Sequence, residues 1–255
     1  MAKLKGSLVI EGPLENLIFY RSKFGILVRN KGTLNRKRIA EDAAFKRTRE
    51  NNSEFGNATK SGKLFRRTVQ AMGHDVFDSQ FTPRLNQLMT RIKSFDTVSE
   101  RGQRIVANGI AHPETKKLLR SFNFNDQSLL THVLLNPYEL DIKSGVITLP
   151  DFEPAREVKF PEGSTHVILQ SGMACIEFRE GIGELITSQK MTLAKNGSAI
   201  DLILAPNSAP GIAGISFFLL KISFSQLVNG EHYPLNNGVF NTMAIIEIET
   251  IPLVF

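Results

Sequence analysis

The chain has 255 residues, of which 42% are hydrophobic, and this length can bury one large core or two small ones. Its single cysteine, Cys175, excludes an intramolecular disulfide, and no run of the sequence approaches the ~18 apolar residues of a membrane span. Residues 1–128 carry 24 Lys+Arg against 12 Asp+Glu, whereas residues 129–255 carry 7 against 13. This split predicts two regions, a basic one over 1–128 and an acidic one over 129–255.

Composition also bears on location and ligand class. Residues 1–6 are basic but lack the apolar stretch and cleavage site of a signal peptide, so a cytoplasmic location is the default expectation. Release from a lysed cell without a signal is the alternative. Trp is absent and Tyr occurs three times, which disfavours a carbohydrate-binding surface because such surfaces usually stack sugars on these rings.

The chain opens with a predicted β-hairpin over residues 7–31. Residues 7–11, 14–21 and 26–29 are rich in β formers, and Gly25 can supply the positive φ that a turn at 23–25 needs. A hairpin of this size is marginally stable in water. It is therefore expected to pack on its own chain or on another subunit.

Residues 33–122 carry helical patterns. A first helix is expected over 39–55, ended by Gly56, and a second over 61–72. Thr82 and Pro83 predict the N-cap and first turn of a third helix. Its apolar positions at helical spacing are Leu85, Leu88, Met89, Ile92 and Phe95. His112-Pro113-Glu114 indicates the start of one more short helix.

From about residue 129 the pattern changes to short alternating or apolar runs separated by turn signals. Strands are expected over 146–149, 166–170, 174–179, 185–193, 199–205, 214–224 and 243–248. The spacing predicts an antiparallel sandwich of seven or eight strands. The run 215–224 is interpreted as a central strand, with an edge strand that pairs with another copy as the alternative.

The predicted fold class is therefore α+β, with an N-terminal β-hairpin and a basic helical region followed by an antiparallel β-sandwich. An apolar tail over 250–255 is expected to be buried on its own domain or on a neighbour.

No catalytic, cofactor or metal motif is recognisable. Residues 56–63 differ from a phosphate-binding loop in glycine spacing and place Leu64 where Ser or Thr must bind magnesium, so a loop between two helices is expected there. The five histidines are scattered and no cysteine cluster exists, which gives no support to a metal site. Cys175 lies in an apolar run and is expected to be a buried, inert thiol.

Positive charge is concentrated in the N-terminal quarter, where residues 1–67 hold 16 Lys+Arg against 6 Asp+Glu. The candidate contacts to another subunit or to a polyanion are Arg29, Arg36, Lys37, Arg38, Lys46, Arg47, Arg49, Lys60, Lys63, Arg66 and Arg67. A basic helix can bind a phosphate backbone through salt-sensitive contacts. Alternatively, these charges are expected to meet the acidic C-terminal half, within one chain or between subunits, with Arg29 and the set Arg47, Arg49, Glu50 and Glu54 forming such a network.

One stretch resembles a known pattern. Residues 45–56, which contain R-T-R-E-N-N-S-E-F-G, together with residues 62–66, resemble a signature of uncharacterised bacterial proteins. In these proteins a Gly-bounded N-terminal hairpin ending in Val-Arg precedes the helix, as Val28-Arg29 does here. The resemblance covers about residues 6–70. It implies this layout and no activity.

The sequence is thus interpreted as a non-enzymatic structural subunit that assembles with copies of itself into a homo-oligomer or filament. A hairpin too small to be stable alone, two halves of opposite charge and apolar strands without catalytic motifs favour this hypothesis. The first alternative is a nucleic-acid-binding protein that uses the basic segment 36–67. The second is an enzyme with an unrecognised site.

Overall fold

The computed structural model describes residues 2–3, 10–22, 25–32, 36–120 and 122–251. The chain divides into two compact units, Met1–Asn51 and Asn52–Phe255. The boundary at 128/129 that the charge pattern predicts falls inside the second unit. The long helix α2 (Lys46–Gly73) runs across the division at Asn51.

The first unit is a small antiparallel sheet followed by short helical segments. Its elements are β1 (Ala2–Lys3), β2 (Gly12–Leu14), β3 (Leu17–Ser22), β4 (Gly25–Asn30), α1 (Arg36–Glu41) and a 3-10 turn (Ala43–Phe45). The strand order is β1-β4-β3-β2. Strands β3 and β4 form the predicted hairpin, with Ser22 opposite Gly25. The predicted strand over 14–21 is instead split by a turn at Glu15, whose φ is +50°.

Most helices of the second unit cover one face of its main sheet, whereas Leu130 and Val133 pack on the opposite face. After α2 the helices are α3 (Phe81–Lys93), α4 (Val106–Gly109), α5 (Pro113–Arg120), α6 (Leu130–Val133) and α7 (Pro154–Glu157). Leu85, Met89 and Ile92 of α3 are buried as their spacing predicts. The predicted cap is wrong by two residues, because α3 begins at Phe81 with Gln80 before it. The prediction that Pro113 opens a helix is confirmed.

The predicted break in the first long helix is wrong, because α2 continues through Gly56 and Gly62. A glycine ends a helix when it adopts the left-handed conformation, and neither of these glycines has a positive φ. Gly62 lies against α3, where a Cβ would stand 2.7 Å from the Asn86 side-chain oxygen. Residues 56–63, expected to form a loop, therefore lie inside the helix.

The strands of the second unit form two sheets, and every strand pairing in them is antiparallel. The strands are β5 (Glu139–Asp141), β6 (Val146–Phe152), β7 (His166–Glu177), β8 (Ile182–Thr187), β9 (Met191–Ala194), β10 (Ile200–Leu204), β11 (Gly214–Val228), β12 (Glu231–Pro234) and β13 (Thr242–Ile251). The small sheet has the order β10-β6-β5. In the large sheet β11 pairs with β7 on one side and with β12 and β13 on the other. The interpretation of 215–224 as a central strand is therefore confirmed.

Apolar clusters on both faces of the large sheet hold the second unit together. On one face Phe65 and Val69 of α2 pack with Phe217 and Leu219 of β11, together with α3. On the other face Leu220 and Ile222 of β11 pack against the small sheet. The α+β fold class with packed antiparallel sheets is confirmed, and the structure adds a helical layer on the far face of the large sheet. Of the apolar tail, residues 252–255 lie outside the described residues.

Candidate functional site

A groove on the second unit collects positive charge. It has a volume of about 560 Å³ and lies between α2, the turn that joins β7 to β8, and the residues that start α4. The lining residues are Asn57, Lys60, Ser61, Lys63, Leu64, Arg67, Ile105, Val106, Ala107, Phe178, Arg179 and Gly181. Four of these are cationic and none is acidic.

Helical spacing brings the α2 cations into this groove. Asn57, Lys60, Leu64 and Arg67 follow at intervals of three or four residues, which places them along one side of the helix. Beside the groove α2 packs closely on the large sheet, because a Cβ on Gly183 of β8 would stand 2.2 Å from the Thr68 hydroxyl. The walls are thus fixed by the packing of α2 on the large sheet.

The groove cations are available to a ligand. Lys60, Lys63, Arg67 and Arg179 are exposed. The guanidinium of Arg179 donates to the Asn108 side-chain oxygen, which orients it without neutralising it. The three groove cations on α2, namely Lys60, Lys63 and Arg67, form no ion pair with any described residue. Like charges held side by side favour an anionic ligand.

Arg66, the remaining candidate of the second unit, is half-buried and does not line the groove. The structure therefore brings Lys60, Lys63 and Arg67 together and leaves Arg66 apart. Sequence reasoning missed Arg179, because a turn residue distant in the chain carries no signal that it will face α2.

The candidates in the first unit are mostly engaged locally. Arg38 pairs with Asp42 at 3.3 Å, and Arg47 pairs with Glu50 at 2.9 Å. Arg49 donates to two backbone carbonyl oxygens, each at 2.8 Å, and Arg29 lies over the Tyr20 ring at 5.6 Å. Arg36, Lys37 and Lys46 are exposed.

The expected Arg47/Arg49–Glu50–Glu54 network forms only in part. Glu50 binds Arg47, whereas Glu54 binds Lys93 of α3 and accepts a hydrogen bond from the Gly102 backbone N–H at 2.8 Å. Lys116 and Arg120 of α5 do meet the acidic half, through Glu249 and Glu247 of β13. The described ion pairs between the two charge regions thus include cations outside the candidate set.

A second cavity, of about 460 Å³, lies where α2 ends on the large sheet. It contains Lys221 of β11, which is only 5% exposed. The Lys221 ammonium donates to the Met72 carbonyl oxygen at 2.8 Å and to the Asp75 carboxylate at 2.5 Å. Burial lowers the pKa of Lys221, and Asp75 opposes that shift. Lys221 is the one charged residue in the run 214–228, and a lone lysine in a β-rich run is the sequence signal that could have indicated this site.

The remaining reactive groups are placed as follows. Cys175 is buried, as expected, its thiol donates to the Ile212 carbonyl oxygen at 3.2 Å, and burial raises its pKa. That the thiol is inert stays a prediction. His166 and His232 lie edge to face at 4.6 Å between ring centres. In the described ranges, no group of three His, Cys, Asp or Glu is arranged to hold a metal ion. Within these ranges, likewise, no helix combines the length and apolar character required to cross a membrane.

The chain matches no family model, no curated protein and no solved structure. The resemblance of residues 6–70 to uncharacterised bacterial proteins stays a prediction.

Proposed function

We propose that the protein binds the phosphate backbone of a nucleic acid through the basic groove and has no catalytic role there. One observation carries this proposal: Lys60, Lys63, Arg67 and Arg179 line a groove in which none of the described lining residues is acidic. Basic side chains that neutralise phosphates release condensed counterions, and this release drives binding.

The proposed contacts are to phosphates and do not read the base sequence. The aromatic ring in the groove, Phe178, is half-buried and packs edge-on against Phe217 at 6.2 Å. It is therefore poorly placed to stack on a base. Lysine and arginine contacts to the backbone fix position without reading sequence, so binding should tolerate any duplex.

The charge distribution supports the same proposal. Residues 1–51 carry 12 Lys+Arg against 5 Asp+Glu, whereas residues 52–255 carry 19 against 20. The groove is thus a local concentration of positive charge on a nearly neutral unit. The basic first unit adds long-range attraction toward a polyanion, which raises association rates. A cytoplasmic location, where nucleic acid is accessible, belongs to this proposal.

The test removes three groove charges together. In the Lys60→Gln, Lys63→Gln, Arg67→Gln variant, we expect affinity for a random DNA duplex to fall about tenfold or more at low salt. The slope of log affinity against log salt should fall by about 0.9 for each phosphate that the variant no longer neutralises. Fluorescence anisotropy across a salt series measures both.

A matched control removes the same amount of charge elsewhere on the second unit. Lys143→Gln, Arg156→Gln and Lys195→Gln change three exposed cations outside the groove. Binding by this variant should stay within about twofold of the parent, since only the long-range field changes. Equal weakening in both variants would show a diffuse charge effect and contradict the groove as the site.

Self-assembly is the second candidate, and the first unit favours it. Among its described residues only Phe19 and Leu27 are buried, while Leu14 and Leu17 are 54% and 37% exposed. A sheet with so little buried apolar area gains stability when another apolar surface covers it. The proposed cover is the same sheet of a second copy.

Light scattering coupled to size separation tests this candidate. A parent that assembles through apolar contact should remain larger than 28.4 kDa at high salt. The Leu14→Ser, Leu17→Ser variant should then dissociate, whereas Val98→Ser, which changes an 85% exposed apolar residue of the second unit, should not. A parent that is monomeric at all salt and protein concentrations would refute the candidate.

A further inference from the structure

The large sheet changes character where α2 ends. Along the helix-facing side of β11, Phe217 and Leu219 belong to the apolar cluster under α2. The following positions on that side are polar, namely Lys221, Ser223 and Ser225. Since α2 ends at Gly73, these polar side chains face space that the helix leaves open.

Two adjoining cavities occupy that space, with volumes of about 460 and 170 Å³. The residues that line both are Asp75, Gln170, Lys190, Lys221, Pro234 and Asn241. Together the cavities fall in the size range of small-molecule sites. Polar groups from four strands and from the end of α2 converge there, whereas a packing defect in an apolar core has apolar walls.

Lys221 offers an unused donor in this space. An ammonium carries three N–H donors, and Lys221 uses two of them, on Met72 and Asp75. Its third N–H has no acceptor among the residues that the structure describes. Because a buried ammonium is costly to leave incompletely bonded, an acceptor in the cavity would stabilise it.

The arrangement around Asp75 holds Lys221 in place. Asn241 donates to the Asp75 carboxylate at 3.1 Å, and its own side-chain oxygen accepts from the Phe224 backbone N–H at 3.2 Å. Asp75 is therefore bonded from two sides, and it fixes the ammonium at one wall of the cavity. A preorganised cation of this kind binds a ligand without first being ordered.

The charged residues that line the cavities indicate the charge of the ligand. Lys190 is exposed at the rim and forms no ion pair with a described residue, so Lys190 and Lys221 exceed Asp75 by one positive charge. We propose that this cavity binds a small organic monocarboxylate, with its carboxylate between the two ammonium groups. The hydroxyl of Ser223 and the amide of Gln170 suit a hydroxyl or keto substituent on that ligand.

Isothermal titration calorimetry with lactate and with pyruvate tests the proposal on the full chain. We expect saturable binding of at least one of them with a Kd below about 1 mM. Lys190→Gln should weaken that binding about tenfold, since it removes one ammonium at the rim. Lys143→Gln, which removes an exposed lysine outside the cavity, should leave the Kd unchanged.

A second variant guards against loss of folding. Lys221→Met alone leaves the Asp75 carboxylate without its cation, which could unfold the chain. The double variant Asp75→Asn, Lys221→Met is therefore used, and its fold is checked by circular dichroism. The folded double variant should lose binding altogether. Absence of saturable binding up to about 50 mM ligand, or binding retained in both variants, would overturn the proposal. Tighter binding of inorganic phosphate than of either carboxylate would overturn the ligand class.

Discussion

Buried charges in the second unit are each surrounded by several donors or by an opposite charge. Glu54 is 4% exposed, and Asp96 is 1% exposed. Burial disfavours the ionised form of Glu54, but Lys93 and the Gly102 backbone N–H outweigh it and hold its pKa below the usual range. A substitution at one of these buried charged residues should therefore lower the free energy of unfolding more than a substitution in an exposed ion pair.

The pair Glu54–Lys93 joins α2 to α3. Lys93→Met would leave the buried Glu54 carboxylate without its cation, and we expect the free energy of unfolding to fall by about 3–5 kcal/mol. The matched control is Lys117→Met, whose pair with Glu114 is largely exposed and should contribute less than about 1 kcal/mol. Urea denaturation of both variants measures the difference. Equal effects would show that burial of the first pair has no energetic consequence.

Asp96 predicts how stability responds to acid. Burial would raise its pKa, but hydrogen bonds from Ser99, Ile105 and Asn108 hold the pKa well below its usual range. Because the folded-state pKa lies below the unfolded value of ~3.9, the stabilisation is complete above that pH and is lost as pH falls through the folded-state pKa.

Asp96→Asn should therefore cost about 2–3 kcal/mol at pH 7, and the gap from the parent should narrow as the pH falls below ~3.9. Denaturation midpoints over a pH series give the gap. Glu162→Gln, at an exposed position, should track the parent throughout. A gap that is constant with pH would mean that the Asp96 charge is not what stabilises this loop.

Among the helices, two glycines inside helical segments predict opposite outcomes. A Cβ on Gly56 of α2 would meet no atom within 4 Å, so Gly56→Ala should raise the free energy of unfolding by about 0.5–1 kcal/mol. A Cβ on Gly109 of α4 would stand 2.0 Å from the Ile92 carbonyl oxygen. Gly109→Ala must displace backbone and should cost about 1–3 kcal/mol or more. Thermal denaturation that shifts both variants in one direction would contradict this reasoning.

Elements with a strong periodic pattern could be predicted from the sequence. Whether a helix or strand continues through an internal glycine could not. Helices α3 and α5 follow from apolar spacing and an early proline. The predicted gap between strands at 166–170 and 174–179 is wrong, because β7 runs through Gly172. There a Cβ would stand 2.5 Å from the Met72 sulfur, so the glycine allows close packing of helix on sheet. A glycine required by tertiary packing looks in sequence like a glycine required by a turn.

The candidate groove, too, could be predicted from the sequence only where its residues lie close together in the chain. Lys60, Lys63 and Arg67 could be predicted as a group because they lie close together in the sequence. Arg179 and the cavity around Lys221 depend on contacts between distant segments. Local composition therefore finds where charge is dense, and the packing of the sheet decides which charges share a surface.

At the scale of the whole molecule, charge and compactness divide the chain differently. Composition changes near residue 128, but Phe65 and Leu85, which precede that point, share a core with Phe217 and Ile245, which follow it. A core built from both sides of 128 makes a domain boundary there physically unfavourable, because cutting it would expose both apolar faces. Among the described residues, the division at residue 51 cuts no such cluster, since every residue of the apolar clusters lies after it.

That division predicts that residues 52–255 fold without the first unit. Every residue of α2 that is buried lies at Glu54 or later, so truncation at 52 removes only exposed or half-buried helix positions. We expect the truncated chain to unfold cooperatively, with a free energy of unfolding within about 1–2 kcal/mol of the second transition of the full chain. Circular dichroism and thermal denaturation compare the two chains, with a chain cut at residue 62 as the control.

The control chain that begins at residue 62 lacks Glu54 and Ala58, leaves Lys93 unpaired, and should be several kcal/mol less stable. If the 52–255 chain instead fails to fold while the full chain is stable, the first unit must contribute to the core of the second, and its sheet would no longer favour self-assembly.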